Sequence, residues 1–484
     1  MAEAFSLPDD ERASTPADEP TVPSIAPVGD ITPAESFSTT RLFGSPSFFR
    51  LWLAQVASSL GDWIGFVAIT ALAARIAGGG SPEAAVGLVL SARLIPGFFF
   101  APIAGVMLDR WNRKKVMVAC DIGRGLVLAT LPWVHTIVGL VFASLLLEIM
   151  TLLWSPSKEA SVPKLVPQHY LPTANSLSLV AAYGTFPIAS AAFALLAGAA
   201  KFLGHYRALA GLRVDQEFLA LYVDVLTFFI SASLISTLVL ERRSRQPRAD
   251  GASRVDFGGA VRDLREGFQV IGKSRLVRSV MLAIATGLIG GGMLVPLGPR
   301  FAKETLGGGS AAFGLLLTAL GIGMAVGIVS LSIVQRRLPH QRVFLVSVFG
   351  AGFSILAGAS MSNLQFAVVF VALLGVFAGG VYVLGFTLLQ ANVEDELRGR
   401  IFATLYTLVR FCLLLAFALA PFLSSLLDGL SHRWFDRSVS IAGISIAIPG
   451  TRLTLWLGGL IILGAGGLAV TSLRGRPSSR PAES

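Results

Sequence analysis

Charged residues and cysteine are both scarce in this sequence. Asp, Glu, Lys and Arg account for 14% of its 484 residues, against 54% hydrophobic residues and a mean hydropathy of +0.70. A soluble globular domain carries about 25% charged residues, so the composition excludes an ordinary soluble protein. The two cysteines, Cys120 and Cys412, fall within apolar runs. Small buried hydrophobes are expected there, which excludes a disulfide or a metal pair.

The sequence is instead rich in long apolar runs. A helix that crosses the hydrocarbon core needs about 20 mostly apolar residues, and twelve such runs occur. They begin near Phe48, Glu83, Lys115, Ile137, Leu171, Leu219, Leu276, Ala311, Arg342, Leu364, Gly399 and Thr451. No basic segment with a short apolar stretch and a cleavage site precedes the first run, so we expect no removable signal peptide. The sequence predicts an all-α polytopic membrane protein with twelve transmembrane helices.

Basic residues orient these helices. Most of the 39 Lys and Arg fall in the termini and in the loops after runs 2, 4, 6, 8 and 10. Because basic residues in short loops stay on the cytoplasmic side, we expect both termini in the cytoplasm and the chain in the plasma (inner) membrane. The net charge of +10 follows from this bias and from attraction to anionic lipid. The lipid bilayer is therefore the expected partner, and nucleic acid is not.

Composition divides the chain into five parts. Residues 1–42 are rich in Pro, Ser, Thr and acidic residues, which predicts a disordered acidic cytoplasmic tail. Residues 43–240 and 276–474 each hold six apolar runs and predict two six-helix bundles. A cytoplasmic linker with an amphipathic helix is predicted over 241–275, and a short cytoplasmic tail over 475–484.

The linker contains a stretch that matches a nucleotide-binding pattern. Gly267, Gly272, Lys273 and Ser274 have the spacing of a P-loop, but that motif needs a strand before it and a sizeable α/β domain around it. Apolar residues recur at helical spacing over 257–271 instead, which predicts an amphipathic helix along the membrane surface. We expect no ATP, no other cofactor, no metal and no enzymatic activity.

A basic turn between the second and third runs carries the first sign of function. Its residues, called the gate motif below, are Gly105, Asp109, Arg110, Arg113, Lys114 and Lys115. The turn resembles the signature loop between helices two and three of the major facilitator superfamily of membrane transporters. The resemblance implies two pseudo-symmetric six-helix bundles, with this loop as a cytoplasmic latch. Asn112 stands where that superfamily usually has glycine, and Asn tolerates a left-handed turn.

The two halves of the chain carry a weak internal repeat, as expected for such transporters. Gly87 aligns with Gly314, and at the same offset Arg110 aligns with Arg337. Asp109 aligns with Arg336, so the acidic member of the latch exists only in the first half. Loss of the Asp109 carboxylate is expected to break the latch and to favour the inward-open state.

Further segments narrow the resemblance. The stretches 49–63, 92–96 and 390–400 are similar to those of the third type of drug:proton antiporters, which contains macrolide, tetracycline and siderophore exporters. Two features depart from that pattern. The segment around Pro187 lacks the later glycines of the helix 5 motif, and helix 4 offers Glu148 where those antiporters often carry arginine. Proton coupling is therefore predicted from the carboxylates and not from these motifs.

Asp62 and Glu148 are the predicted proton-coupling residues, because charges inside membrane helices are costly and often functional. Each has an alternative role, in which it pairs with Arg93 or Arg124 inside the membrane. Asp121 and Arg124 lie three residues apart on one helix and are expected to form a local structural pair. Asp224 is expected near the outer surface, where solvation explains it.

A substrate cavity is predicted from polar and aromatic residues on several helices. Gln55, Ser59 and Asp62 share one face of the first helix. Helix packing is an equally good alternative for the cavity candidates. They are Gln55, Ser59, Arg93, Asn175, Tyr382, Phe386 and Arg410.

The resemblance and the carboxylates predict a secondary active transporter that exports small amphipathic compounds by proton-coupled alternating access. We expect a monomer that binds a small-molecule substrate and protons. The alternatives are a siderophore or lipid exporter, an uncoupled carrier of the same fold, and a membrane scaffold or receptor that transports nothing. Glycines and Pro299 in the seventh run predict a bend there.

Overall fold

The structure is a computed structural model. It describes residues 43–78, 81–203, 216–238, 274–334, 339–393, 395–435, 438–441 and 444–474. The predicted tails at 1–42 and 475–484 lie outside these residues, as does the predicted linker up to residue 273. The P-loop-like stretch lies there too, except for Ser274, whose hydroxyl accepts a hydrogen bond from the Val277 amide and caps the next helix.

Twelve helical spans that are long and apolar enough to cross a membrane occur in the described residues, as predicted. Spans 1 to 6 are Pro46–Ile76, Pro82–Arg110, Arg113–Thr130, Ile137–Glu159, Leu171–Tyr183 with Thr185–Leu203, and Gln216–Ser236. Spans 7 to 12 are Arg275–Gly292 with Leu294–Arg300, Gly309–Val334, His340–Ser360, Leu364–Asn392, Asp395–Phe435 and Gly450–Arg474. Short 3-10 helices cover Leu131–Trp133, Val162–Lys164 and Gln168–Tyr170, and a π-helix covers Phe301–Thr305.

Side-chain caps and proline define where several spans begin. The Ser45 hydroxyl accepts from the Phe48 amide at 3.0 Å, and Pro46 takes the first helical position. Thr136 caps span 4 in the same way. These groups satisfy backbone amides that have no partner within the helix, and proline has no amide to satisfy.

Two spans are interrupted. Span 7 breaks at Met293, directly after Gly290, Gly291 and Gly292, which confirms the predicted bend. Span 5 breaks at Gly184, three residues before Pro187. Pro187 lacks an amide hydrogen and cannot donate to the carbonyl of Tyr183, so the helix ladder is weakest at that point.

The spans form two six-helix bundles, one from spans 1 to 6 and one from spans 7 to 12. We call the face at Pro46 the proximal face and the face at Ile76 the distal face. Because the connections between most neighbouring spans are short, odd-numbered spans end and even-numbered spans begin at the distal face. The bundles pack through span 2 against span 11, span 5 against span 8, and span 7 against spans 1 and 2.

Glycine lets spans of the second bundle approach closely. A Cβ on Gly323 or Gly327 of span 8 would meet the backbone of Ala372 or Val376 in span 10. Gly375 and Gly379 of span 10 lie equally close to the backbone of span 8. Small residues allow such backbone approach, which replaces the hydrophobic effect as a source of helix association in lipid.

A β-hairpin between spans 11 and 12 was not predicted from the sequence. Strand β1, Ser438–Ile441, pairs antiparallel with β2, Ile444–Ala447, and Ser438 lies opposite Ala447. The buried Arg452 donates to the carbonyls of Ala447 and Met361 and to the Ser362 hydroxyl. The hairpin is thereby fastened to the distal ends of spans 9 and 10.

Candidate functional site

Arg124 of span 3 is the centre of a buried ionic cluster in the first bundle. Its guanidinium lies 3.0 Å from Asp62 of span 1 and forms an ion pair with Asp121, one turn away. It also donates to the Ser58 hydroxyl at 3.0 Å. Asp121 accepts a second hydrogen bond, from the Ser231 hydroxyl of span 6 at 2.7 Å. The predicted local pair is present, and it extends to two further spans.

Aromatic rings and exposure make this cluster asymmetric. The guanidinium carbon of Arg124 lies 4.4 Å from the ring centroid of Phe228 and 5.4 Å from that of Trp154. Arg124 and Asp121 are inaccessible, whereas the Asp62 side chain is 30% exposed. One arginine thus serves two carboxylates, and Asp62 is the one that water reaches.

A narrow cavity adjoins Asp62. Three of its lining residues are ionisable: Asp62 of span 1, Arg93 of span 2 and Asp224 of span 6. The rest of its wall is Gly65, Ile69, Leu128, Leu147 and Phe228. An apolar wall around three ionisable groups strengthens electrostatic interactions among them.

Asp224 does not lie at a solvated surface, and that prediction is wrong. Only 1% of the residue is exposed. Its carboxylate lies against the backbone of span 1, where a Cβ on Gly61 or Gly65 would collide with its oxygens. Gly61 and Gly65, four residues apart on span 1, leave room for the Asp224 side chain of span 6. The prediction used only the position of Asp224 near the start of its own helix, which carries no information about span 1.

Glu148 and two arginines extend the charged region toward the second bundle. Glu148 is half-buried, and Arg93, Arg410, Asp62 and Arg124 all act on it electrostatically. Arg93 lies over the ring of Phe66, 5.8 Å from its centroid. Arg410 of span 11 donates to the Gly97 carbonyl of span 2 at 3.3 Å. Arg410 therefore joins the two bundles beside the carboxylates.

Aromatic residues of the second bundle face this region. The Tyr382 and Phe386 rings lie 4.5 Å apart, and Phe386 lies 6.3 Å from Tyr406. Tyr183 of span 5, in the first bundle, lies near both of these tyrosines. All three tyrosines are exposed although they face one another. The three tyrosines therefore lie near one another where the two bundles meet.

Comparison with known families identifies the chain. The sequence profile of a major facilitator family described as transmembrane secretion effector matches residues 38–416. The chain belongs to this family of transporters. It is therefore a multi-pass membrane transporter of small molecules and not an enzyme.

The transporter has relatives of similar length. It is 26% identical over 328 residues to YkuC of Bacillus subtilis, an uncharacterized MFS-type transporter, covering 65% of this chain and 70% of that protein. It is 23% identical to YfiS of the same organism, covering 85% and 91%. It is 27% identical to Rv0037c of Mycobacterium tuberculosis, covering 74% and 80%.

Solved structures share its fold. A bacterial homologue of the human lysosomal transporter Spinster, inward-facing and unoccupied, matches with a TM-score of 0.68 at 17% identity, covering 89% of this chain and 97% of that one. A D-xylose–proton symporter matches with a TM-score of 0.61 at 14% identity, covering 87% and 97%. At these identities the likeness shows the fold alone.

The distal face of the transporter is closed by contacts between the bundles. Arg300 of span 7 lies 2.5 Å from Glu83 of span 2, and Ser310 of span 8 donates to Glu217 of span 6 at 2.8 Å. Backbone contact at Gly87 with Phe417 continues this closure toward the middle. These contacts hold the distal ends of the two bundles together.

The proximal turn with the gate motif is described in part. Side chains of residues 101–110, which include Gly105, Asp109 and Arg110, lie outside the described residues. Arg113 donates to the Ala160 carbonyl at 2.5 Å, and Lys114 to the Leu238 carbonyl at 2.7 Å. Both cap the proximal helix ends of spans 4 and 6, so they tie the first bundle together. Lys115 is exposed.

Asn112 has a different role from the predicted one. Its φ is −74°, which is not left-handed, and its side chain accepts from the Lys115 amide and caps span 3. The motif tolerates Asn here because Asn is among the best helix caps.

The remaining predicted cavity residues, Gln55, Ser59 and Asn175, differ in their burial and contacts. Gln55 is buried and donates to the Ser178 carbonyl at 2.8 Å, so it joins spans 1 and 5 instead of lining an open cavity. Ser59 is half-buried and Asn175 is exposed. The sequence interpretation missed Tyr183 and Ser231, since neither has a periodicity or a charge that marks it.

Proposed function

We propose that this transporter exports small amphipathic compounds across the cytoplasmic membrane by proton-coupled alternating access. The observation that carries the proposal is Asp62. It is a partly exposed carboxylate inside the membrane, and it shares a buried arginine with Asp121. A structural ion pair does not need a water-accessible member, whereas a proton site does. Intramembrane carboxylates with such access commonly mark proton paths.

The coupling step is the making and breaking of one ion pair. Ionised Asp62 holds Arg124, while protonated Asp62 releases it to Asp121 alone. Breaking a buried pair is strongly unfavourable, so the protonation state of Asp62 biases how spans 1 and 3 pack. One charge moving through about 100 mV provides roughly 2.3 kcal/mol, enough for about a 50-fold concentration ratio. The proton gradient is then the energy source, without ATP or another cofactor.

The conformation fits one stage of this cycle. We assign the proximal face to the cytoplasm, with both termini there, because short loops rich in Lys and Arg favour the cytoplasmic side. A closed distal face then corresponds to an inward-open state, in which the space beside Tyr183, Tyr382 and Tyr406 takes up substrate from the cytoplasm. Aromatic rings suit flat or cationic amphipathic compounds. We further infer that one chain suffices, because each element of the proposed site lies within it.

A second candidate is export of an acidic compound of the siderophore type. Arg93 and Arg410 lie beside the site, and a cation facing a cavity attracts an anionic substrate. The two candidates differ in which residue matters most. For an acidic substrate, Arg410→Gln weakens transport more than Asp62→Asn does.

Transport in proteoliposomes with an imposed pH gradient tests the proposal. A panel of cationic, neutral and anionic amphipathic compounds is compared for wild type, Asp62→Asn and Glu148→Gln. We expect gradient-driven accumulation in wild type and its loss in Asp62→Asn. Glu304→Gln, at an exposed position on the distal face, serves as the control and keeps coupling. Accumulation against the gradient by both Asp62→Asn and Glu148→Gln contradicts the proposal.

The gate motif supplies a separate prediction. We propose that Asp109 closes the cytoplasmic side in the outward-open state through the dipole of a facing helix. Asp109→Asn then raises the inward-open population, while Arg336→Gln changes it little. Solvent accessibility of a cysteine introduced at Tyr183 reports that population, and equal effects of the two substitutions contradict a one-sided latch.

A further inference from the structure

Span 6 carries two buried carboxylates in opposite circumstances. Glu217, at its distal end, lies 3.2 Å from the Arg75 guanidinium and accepts from the Ser310 hydroxyl. Asp224, two turns further along, has an oxygen with no hydrogen-bond partner, and the described residues place no cation within ion-pair distance of it. Its other oxygen lies 3.5 Å from the Thr227 hydroxyl, which donates at 2.7 Å to the Asp224 main-chain carbonyl instead.

Among the described residues, neither nearby arginine forms an ion pair with Asp224. Arg124 acts on Asp224 electrostatically, but its guanidinium is bound to Asp62, Asp121 and Ser58. Arg93 also acts on it electrostatically, and both residues line the same cavity. Asp62, from span 1, is the facing acidic group. The carboxyl of Asp224 thus shares one cavity with a second acid, Asp62, and with Arg93.

The burial of Asp224 leaves little means to solvate a negative charge. Span 1 packs over the carboxyl at Gly61 and Gly65, and the residue is 1% exposed. An isolated ionised carboxylate in such a place costs far more free energy than a neutral one, and such groups take up a proton instead. A neutral carboxylic acid needs only hydrogen bonds.

We propose that Asp224 holds a proton in this conformation and exchanges it with Asp62 through the cavity that both residues line. In the exchange, the proton leaves the Asp224 carboxyl oxygen and binds an Asp62 oxygen, so that Asp224 becomes the anion and Asp62 becomes neutral. Asp62 then loses its ion pair with Arg124, and the new charge on Asp224 faces Arg93. No oxidant or other reactant is needed. The exchange rests on the proposed proton coupling, whereas the proton on Asp224 does not.

Infrared spectroscopy of the full-length protein in lipid tests the proton without a substrate. A buried protonated carboxyl has a carbonyl band distinct from that of a carboxylate. We expect this band in wild type at neutral pH, and we expect Asp224→Asn to lose the intensity of one carboxyl group. Glu217→Gln is the matched control on the same span and keeps the band. Unchanged intensity in Asp224→Asn overturns the proposal.

Stability supplies a second readout that does not depend on assigning the band. Asn is a neutral isostere of protonated Asp, so Asp224→Asn is expected to unfold at the wild-type temperature. Glu217→Gln removes the ion pair with Arg75 and is expected to unfold at a lower temperature. A larger loss in Asp224→Asn than in Glu217→Gln shows an ionised Asp224 and contradicts the proposal.

Transport separates the exchange from the proposed function. Gradient-driven transport of a cationic dye is measured in proteoliposomes for wild type, Asp224→Asn and Asp224→Glu. We expect at least a tenfold loss in Asp224→Asn and partial recovery in Asp224→Glu, which restores an acid. Wild-type rates in Asp224→Asn overturn the exchange and leave proton coupling by Asp62 standing. Absence of gradient-driven transport of any compound by wild type overturns the proposed function, while the infrared result still decides the proton on Asp224.

Discussion

The two bundles of this transporter have the same architecture and different chemistry. The middle of the first bundle holds Asp62, Arg93, Asp121, Arg124, Glu148 and Asp224. The described middle of the second bundle holds one charged residue, Arg410, and its closest helix contacts are made through glycine. Ionic contacts hold spans 1, 3 and 6 together, and backbone packing holds spans 8 and 10 together.

This difference indicates which bundle can respond to the binding or release of a proton. Ion pairs and buried acids change with protonation, whereas glycine-mediated backbone packing does not. The second bundle instead contributes Tyr382, Phe386 and Tyr406, whose rings lie close together where the two bundles meet. The proposed coupling therefore rests on the first bundle, and part of the proposed substrate recognition rests on the second.

The largest effect is expected from removing an intramembrane arginine, and it should differ between Arg124 of the first bundle and Arg410 of the second. Arg124→Gln leaves Asp121 buried without its cation, which costs about 3–5 kcal/mol of stability. Arg410→Gln removes one hydrogen bond to the Gly97 carbonyl and costs about 1 kcal/mol. Thermal unfolding in detergent measures the stability loss of both variants. An equal loss contradicts the claim that ionic contacts matter more in the first bundle than in the second.

Glycine substitutions in the second bundle are expected to come next. Gly327→Ala places a methyl group against the Val376 backbone, and such overpacking costs about 1–3 kcal/mol. Gly287→Ala in span 7 is the matched control, because its Cβ would meet no atom within 4 Å. The control is expected to unfold at or slightly above the wild-type temperature. If Gly327→Ala is as stable as Gly287→Ala, close backbone packing does not hold spans 8 and 10 together.

A smaller effect is expected where the bundles meet. Arg300→Gln breaks the contact with Glu83 on the distal face and is expected to raise the distally open population about tenfold, or about 1.4 kcal/mol. Spin labels at His135 and Gln365, one on each bundle at that face, report the opening as a longer distance. Glu304→Gln removes only a contact within the same segment as Arg300 and serves as the control. An unchanged distance distribution in Arg300→Gln shows that this pair does not close the face.

Hydropathy alone was sufficient to predict the twelve spans, because every long apolar run became a helix. The bend in span 7 also followed from local glycine and proline. The partners of Asp62 and Asp224 were not predictable, since they depend on which faces of spans 1, 3 and 6 meet. The Arg124 pair appeared only among the alternatives, and Asp224 was misplaced because its accommodation depends on Gly61 and Gly65 of another span. The hairpin was missed because its strands are short.

The most direct test of the central claim compares coupling in variants of the two bundles. Proteoliposomes are assayed for gradient-driven transport and for substrate exchange at equal pH on both sides. Asp62→Asn in the first bundle is predicted to abolish gradient-driven transport and to retain exchange. Tyr382→Ala in the second bundle is predicted to keep the dependence on the gradient and to weaken apparent substrate affinity. Loss of gradient dependence in Tyr382→Ala, together with intact gradient-driven transport in Asp62→Asn, contradicts the account.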